Sequence, residues 1–254
     1  MRFFSDVRLT YARAFRAVLR EPSWIIIGLG QPLFYLYLFG PLLDKTGSTR
    51  GWPAGTSSWD VFVPGLLVQL VIFNCAFNGF ALLSEMRQGV LERLSVTPIS
   101  RMALLLGRAG RDATLVVVQG AILVGLAVPL GLHLHPGMVV AALILLALGI
   151  GLSCLGYGLA LLLRSEDALA PVIQGVSLPV LLLSGVFLPL TLAPGWLDDT
   201  AEANPLRHTV DAVRALMLGD GRAWLGIVVT LALSLALVVF GTRRFNNTED
   251  LRIN

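Results

Sequence analysis

Residues 113–163 read ATLVVVQGAILVGLAVPLGLHLHPGMVVAALILLALGIGLSCLGYGLALLL, without one Asp, Glu, Lys or Arg. A helix rises about 1.5 Å per residue and crosses the hydrocarbon core of a bilayer in about 20 residues, so this stretch is long enough to cross twice. Near its middle stand Gly131, His133, His135, Pro136 and Gly137, a polar, helix-breaking cluster that predicts a short turn outside the membrane.

Four further stretches are free of charge: Pro22 to Leu43, Val61 to Ser84, Ala168 to Leu197 and Ala223 to Thr242. Each holds one span. In the third, Ala168 to Phe187 supplies it, and the apolar remainder, broken by Pro189, Pro194 and Gly195, reads as a re-entrant or interfacial segment. The expected fold class is therefore an all-α polytopic membrane protein, a single domain over 1–254. Its six transmembrane helices are expected at 22–43, 61–84, 113–131, 137–163, 168–187 and 223–242. The composition, 56% hydrophobic and 14% charged, excludes a soluble globular enzyme, which carries charge at about a quarter of its positions. It also excludes disorder, which needs low hydrophobicity and high net charge.

Lys and Arg placement gives an orientation. With the N-terminus cytoplasmic, 14 of the 19 basic residues fall on inner segments, so both termini are placed inside. The net charge of +3 then reflects topology and implies no nucleic-acid partner. The start, Met1 to Asp6, lacks the apolar core and cleavage site of a secretory signal, so the first span is expected to act as its own insertion signal. Cys75 and Cys154 both fall in spans and imply neither a disulfide framework nor a metal cluster.

Three segments outside the spans carry pattern. At 100° per residue, Phe4, Val7, Tyr11, Ala14, Phe15 and Val18 share one face of a helix over residues 1–21, opposite Arg2, Asp6, Arg13, Arg16 and Arg20. This predicts an amphipathic interfacial helix whose arginines meet head groups or a cytoplasmic partner. Between the second and third spans, over 85–100, Glu85, Gly89 and Glu92 recur at i, i+4, i+7 with Pro98 as a stop. That spacing predicts a helix with two carboxylates and a glycine gap on one face, suited to docking in another protein's groove. The outer segment, 188–222, predicts a hairpin dipping into the outer leaflet, followed by a surface helix with Leu206, Val210, Val213 and Met217 on one face.

The run Glu85-x-x-x-Gly89-x-x-Glu92-Arg93-Leu94, with Thr97-Pro98-Ile99, Arg101 and Arg108, resembles the first cytoplasmic loop of type-2 ABC exporter permeases, in the daunorubicin-resistance-like multidrug and lipid-exporting branch. Ser184 to Pro189, Pro194 to Leu197 and Asn204 to Arg214 resemble that branch's outer segment. The resemblance spans essentially the whole chain. It implies that the N-terminal helix, with Arg13 and Arg16, and a coupling helix carrying Glu85, Gly89, Glu92, Arg93, Thr97 and Pro98 contact a separate ATPase subunit. Two permease copies, as a homodimer, would assemble with two ABC ATPases in a bacterial plasma membrane. No G-x-x-x-x-G-K-[ST] loop occurs in the sequence, so this chain is expected to be no enzyme and to bind no cofactor; ATP and magnesium would sit on the partner. The resemblance further implies that Gln31, Gln69, Asn74, Asn78, Gln174, Ser177 and Ser184, in the first, second and fifth spans, line the route of an amphipathic drug, lipid or glycolipid. Read one at a time, each of them points first to a hydrogen bond with a neighbouring helix.

An ion-coupled secondary transporter or channel-like protein acting without an ATPase is the competing class. It would keep an ionisable group at membrane depth, and the charge-free stretches offer none. An intramembrane serine protease would need a base near Ser153, whereas His133, His135 and His208 all lie outside the spans. His133-x-His135 alone is an incomplete metal site, so no metal is expected.

Overall fold

Lipid offers no partner to a backbone N–H or C=O, so an apolar chain that crosses it must pair its own backbone. The computed structural model, which describes residues 2–20, 23–47, 57–89, 100–187 and 194–246, is helical throughout its regular elements. In order these are α1 (Arg2–Arg20), α2 (Ser23–Gly47), α3 (Ser58–Ala76), α4 (Asn78–Arg87), α5 (Arg101–Ala127), α6 (Gly137–Leu163), α7 (Glu166–Leu182), α8 (Gly195–Glu202), α9 (Pro205–Leu218) and α10 (Trp224–Asn246).

Local chemistry sets several ends. Ser57 opens α3 with a capping box, its hydroxyl accepting from the Asp60 amide while its own amide donates to the Asp60 carboxylate at 2.9 Å. Ser100 caps α5 by accepting from the Ala103 amide at 3.2 Å. Asn204 caps α9 ahead of Pro205, and Gly219, at φ +75°, ends it.

Helix α3 is the centre. Nearly all of its residues are buried, with α2, α5, α6 and α9 packed around it. The tightest seam is α6 on α10, where small residues let the backbones meet. A Cβ placed on Gly241 would lie 2.5 Å from the Cys154 carbonyl oxygen, and one on Gly151 would lie 2.9 Å from the Ser234 Cα. The α9 face formed by Leu206, Val210, Val213 and Met217 is buried, against α3, α6 and α10.

Among the described residues five helical stretches are long and apolar enough to span: Ile25–Leu42, Ser58–Arg87, Met102–Leu130, Gly137–Leu163 and Gly221–Arg244. The sixth expected span, 168–187, falls on α7, whose 17 residues leave it outside these five and are followed by a turn at Leu183 to Gly185, with Gly185 at φ +70°. Pro171 and Pro179 lie within this helix, and the left-handed glycine stops it before Phe187.

Two other boundaries differ from the sequence reading. Helix α5 begins at Arg101, ahead of the expected span at 113, so it carries Arg108, Arg111 and Asp112. The expected helix over 85–100 is not continuous. Helix α4 ends at Arg87 and Gly89 stands at φ +67°, a left-handed conformation in which a helix terminates. Gly89 therefore breaks the helical face on which it was expected to leave a gap. Glu92, Arg93, Thr97 and Pro98 lie outside the described residues, as do 188–193 of the outer segment.

Candidate functional site

Helix α1, the end of α4 and helix α6 meet on the first half of α5, and α7 joins them through α4 and α6. Helix α1 packs lengthwise along it: Val7 and Thr10 lie over Gly107, and Tyr11 lies over Gly110. The Tyr11 hydroxyl meets the Thr114 hydroxyl at 3.1 Å. A Cβ on Gly107 would sit 2.7 Å from the Thr10 Cβ, so the glycine permits the approach. Val18 is buried, whereas Arg13 and Arg16 are exposed on the side of α1 turned away from α5. Phe4, on the apolar face expected to lie along the membrane, is 80% exposed.

From α4, the Glu85 carboxylate reaches Arg108 of α5, with Nη2 to Oε2 at 2.5 Å. The arginine is the buried partner, its side chain 9% exposed against 40% for the glutamate. One helical turn further along α5, Asp112 accepts from the Tyr157 hydroxyl of α6 at 2.6 Å and from Arg111 Nε at 2.7 Å. Arg111 also donates to the Tyr157 hydroxyl at 3.3 Å. Asp112 and Tyr157 are almost wholly buried. Arg87 completes the series with Glu166 at the start of α7, a looser and more exposed pair at 3.5 Å. The result is a chain of ion pairs and hydrogen bonds linking α4 to α7, α4 to α5, and α5 to α6.

These pairs differ in weight. An exposed pair such as Arg87–Glu166 contributes about 0–1 kcal/mol. Stranding one member of a buried pair costs about 3–5 kcal/mol, because the remaining charge has neither water nor partner. The Asp112 cluster is thus the strongest constraint in this region. Asp60, Arg108, Arg111 and Asp112 lie just outside the expected charge-free spans, on helices that continue into them. Asp112 is engaged by an arginine and a phenol, so it does not stand free as an ion-binding group.

The opposite end of the helices has its own fastenings. Asp60 accepts from the His133 amide at 2.9 Å and meets His133 Nδ1 at 2.8 Å, while the Ser57 hydroxyl donates to the Gly131 carbonyl at 2.9 Å. The turn between α5 and α6 is thereby clasped to the start of α3. Arg214 of α9 donates from Nε to the Val61 carbonyl at 3.2 Å and from Nη2 to the Gly185 carbonyl at 3.1 Å. Burial draws its guanidinium below the ordinary arginine value, with Asp211 opposing.

The residues expected to line a route are not gathered in one place. Gln31 and Gln174 are exposed on α2 and α7, and Ser177 is half-buried. Asn74 bonds its own helix at the Leu70 carbonyl, 2.9 Å, and the Ser184 hydroxyl bonds the Leu181 carbonyl, 2.7 Å. Asn78 opens α4 half-buried, and Gln69 is buried with its side-chain oxygen unpaired. Gln119, which sequence reasoning passed over, donates from α5 to the Ile25 carbonyl of α2 at 3.2 Å, beside Gly28 and Asn74. A surface crevice of about 450 Å³ lies on α10 beside Ala236, Val239, Phe240, Arg243 and Arg244, and none of these polar residues lines it.

The signal for the Asp112 cluster was present as spacing. Arg108, Arg111 and Asp112 recur at i, i+3, i+4 immediately before the charge-free stretch, and Ser100 stands as a cap two residues after Pro98. Tyr157 carries no such signal, because its partner lies 45 residues away.

Comparison with known proteins adds independent findings. A family model described as ABC-2 type transporter matches residues 6–218. A Cyanophora paradoxa protein named as the transport permease ycf38 is 31% identical over 217 residues, covering 84% of this chain and 74% of its own length. The daunorubicin resistance ABC transporter permease protein DrrB1 of Streptomyces coeruleorubidus is 28% identical, covering 89% of this chain and 80% of its own. A Mycobacterium tuberculosis protein named as a doxorubicin resistance ABC transporter permease, DrrC, is 26% identical over 79% of this chain and 72% of its own.

Proposed function

Given that this chain belongs to the ABC-2 type transporter family and is a multi-pass membrane permease, we propose that it is the membrane subunit of an ATP-driven exporter. Two copies form the route, and a separate pair of ABC ATPases binds and hydrolyses ATP with magnesium. The cargo class is an amphipathic drug, lipid or glycolipid, in keeping with the drug-resistance names of two of its relatives. The membrane is a bacterial plasma membrane and both termini lie inside.

The observation that carries this reading is the convergence of α1 and the end of α4 on the first half of α5. In this reading the ATPase meets α1 through the exposed Arg13 and Arg16 and meets the end of α4 through Glu92, Arg93, Thr97 and Pro98, which follow it in sequence. A displacement of either element bears on α5 within residues 107–114. The chain therefore supplies the lever and the route, and the partner supplies the energy. The route is assigned to Gln31, Gln69, Asn74, Asn78, Gln174, Ser177 and Ser184, with Gln119 added because it faces Asn74 and Gly28.

The test is reconstitution in proteoliposomes with and without a phosphate-loop ABC ATPase as partner. Outward movement of doxorubicin or a fluorescent lipid should require both chains and hydrolysable ATP. Movement by this chain alone down an ion gradient would refute the exporter reading and favour a secondary transporter.

A further inference from the structure

Asp112 is 2% exposed, more completely enclosed than Asp60 at 4%. A buried ion pair confers little net stability compared with a well-packed apolar replacement, but it enforces one arrangement, since any other strands a charge. The Arg111–Asp112 pair lies within α5, and its link to α6 is the Tyr157 hydroxyl, which donates to Asp112 at 2.6 Å and accepts from Arg111 at 3.3 Å; losing that hydroxyl leaves the pair underbonded, so the phenol sets where α6 sits against α5. Arg108 and Asp112 lie one turn apart on α5; the first takes Glu85 from α4, the second takes Tyr157 from α6. Just beyond, Ala113 packs against Gly149 of α6, where a Cβ would lie 3.9 Å from the Ala113 Cα.

Helices α2 and α7 are held differently. The polar tether of α2 to α5 is Gln119 to the Ile25 carbonyl at 3.2 Å, and its Ile26, Ile27, Phe34 and Leu38 are exposed. Helix α7 is attached by the loose Arg87–Glu166 pair and by Asn204 Nδ2 donating to the Val180 carbonyl at 2.8 Å. No buried charge fixes either helix among the described residues.

We propose that Asp112 and Tyr157 are positioning residues that lock α5 to α6, so that force arriving at Arg108 moves the two helices as one body against α2 and α7. The proposal rests on the exporter reading and says which helices move together under it. Neither residue touches cargo or ATP.

Tyr157→Phe removes the hydroxyl and keeps the ring. In the reconstituted complex, cargo moved per ATP hydrolysed should fall about tenfold, the factor that corresponds to losing a hydrogen bond to a charged group. A residue of purely structural importance would lower the amount of folded complex and leave that ratio unchanged. In a background of Cys75→Ala and Cys154→Ala, cysteines at positions 113 and 149 lie within disulfide reach. Oxidation of that pair should leave transport intact with Tyr157 present, should restore the ratio in Tyr157→Phe, and should lose the restoration on reduction. Transport that stops when the link closes would overturn the proposal, as would an unchanged ratio in Tyr157→Phe. Spin labels at the exposed Val118 and Leu143 separate failure of the lock from failure of the exporter reading. A distance that changes between nucleotide-free and ATP-bound complex overturns the lock. ATP-independent transport with that distance constant overturns the exporter reading instead.

Discussion

Glu85→Ala strands Arg108. The guanidinium keeps only 9% of its side chain in water, so it cannot be rehydrated cheaply, whereas Glu85 at 40% exposure is already half solvated. The cost should fall between the limits for exposed and buried pairs, at about 2 kcal/mol. Arg108→Met fills the site with an apolar chain and leaves Glu85 in contact with water, at a cost of about 1 kcal/mol. The double variant contains no stranded charge, so it should cost about 1 kcal/mol rather than 3, a coupling of about 2 kcal/mol. Equilibrium unfolding in mixed micelles measures all three, and transport per ATP measured in parallel should fall in Glu85→Ala and partly recover in the double variant. The charge swap, Glu85→Arg with Arg108→Glu, should not recover, because a carboxylate at 108 would lie one turn from Asp112. Costs that add to within about 0.3 kcal/mol, or a swap as stable as the parent, would refute the assignment of Arg108 as the dependent partner.

Further outcomes follow from other contacts. Gly241→Ala drives a methyl toward the Cys154 carbonyl and should destabilise by about 1–3 kcal/mol in the same unfolding assay, whereas Gly30→Ala, with nothing within 4 Å, should be neutral or stabilising by up to about 1 kcal/mol. Arg214→Ala releases the Val61 and Gly185 carbonyls together and should cost about 2–3 kcal/mol, with faster amide exchange in residues 183–187 as the local readout. Asp60→Ala removes both the capping box and the His133 clasp; a loss of about 2 kcal/mol is expected, with increased exchange in residues 131–137. Arg13→Glu with Arg16→Glu should leave insertion unchanged and reduce co-purification of the ATPase severalfold.

Hydropathy made the long apolar helices legible, since a charge-free run above the crossing length has few other fates. Periodicity made the α9 face legible, because Leu206, Val210, Val213 and Met217 needed only one helix to be aligned. The expected span at 113–131 says how much of the helix lipid would take and sets no limit on the helix itself. Helix α5 runs back to Arg101 through Arg108, which pairs with Glu85 of α4, and through Arg111 and Asp112, which pair with each other and with Tyr157 of α6. Those partners are fixed by tertiary packing, and one sequence read locally cannot pair Asp112 with Tyr157. Glu85 was singled out for its place on a repeating face, yet the structure gives it significance through Arg108. Gly89 was singled out as a gap and stands instead as a terminator.

The enclosure of α3 bears on how the chain is made. Its surface is covered by protein, yet most of that protein is synthesised after it: α5, α6 and α9 all follow in sequence. During its own insertion α3 must rest in lipid on hydropathy alone, with Gln69 tolerated there and Asp60 waiting for a histidine 73 residues downstream. The helix must therefore satisfy two solvents in succession, first the bilayer and then its siblings. Variants at Gly65, whose added Cβ would meet the later-made Val186 carbonyl, should insert normally and be rejected only when the later helices arrive. Such chains would accumulate as membrane-integrated, protease-sensitive intermediates rather than fail at the translocon.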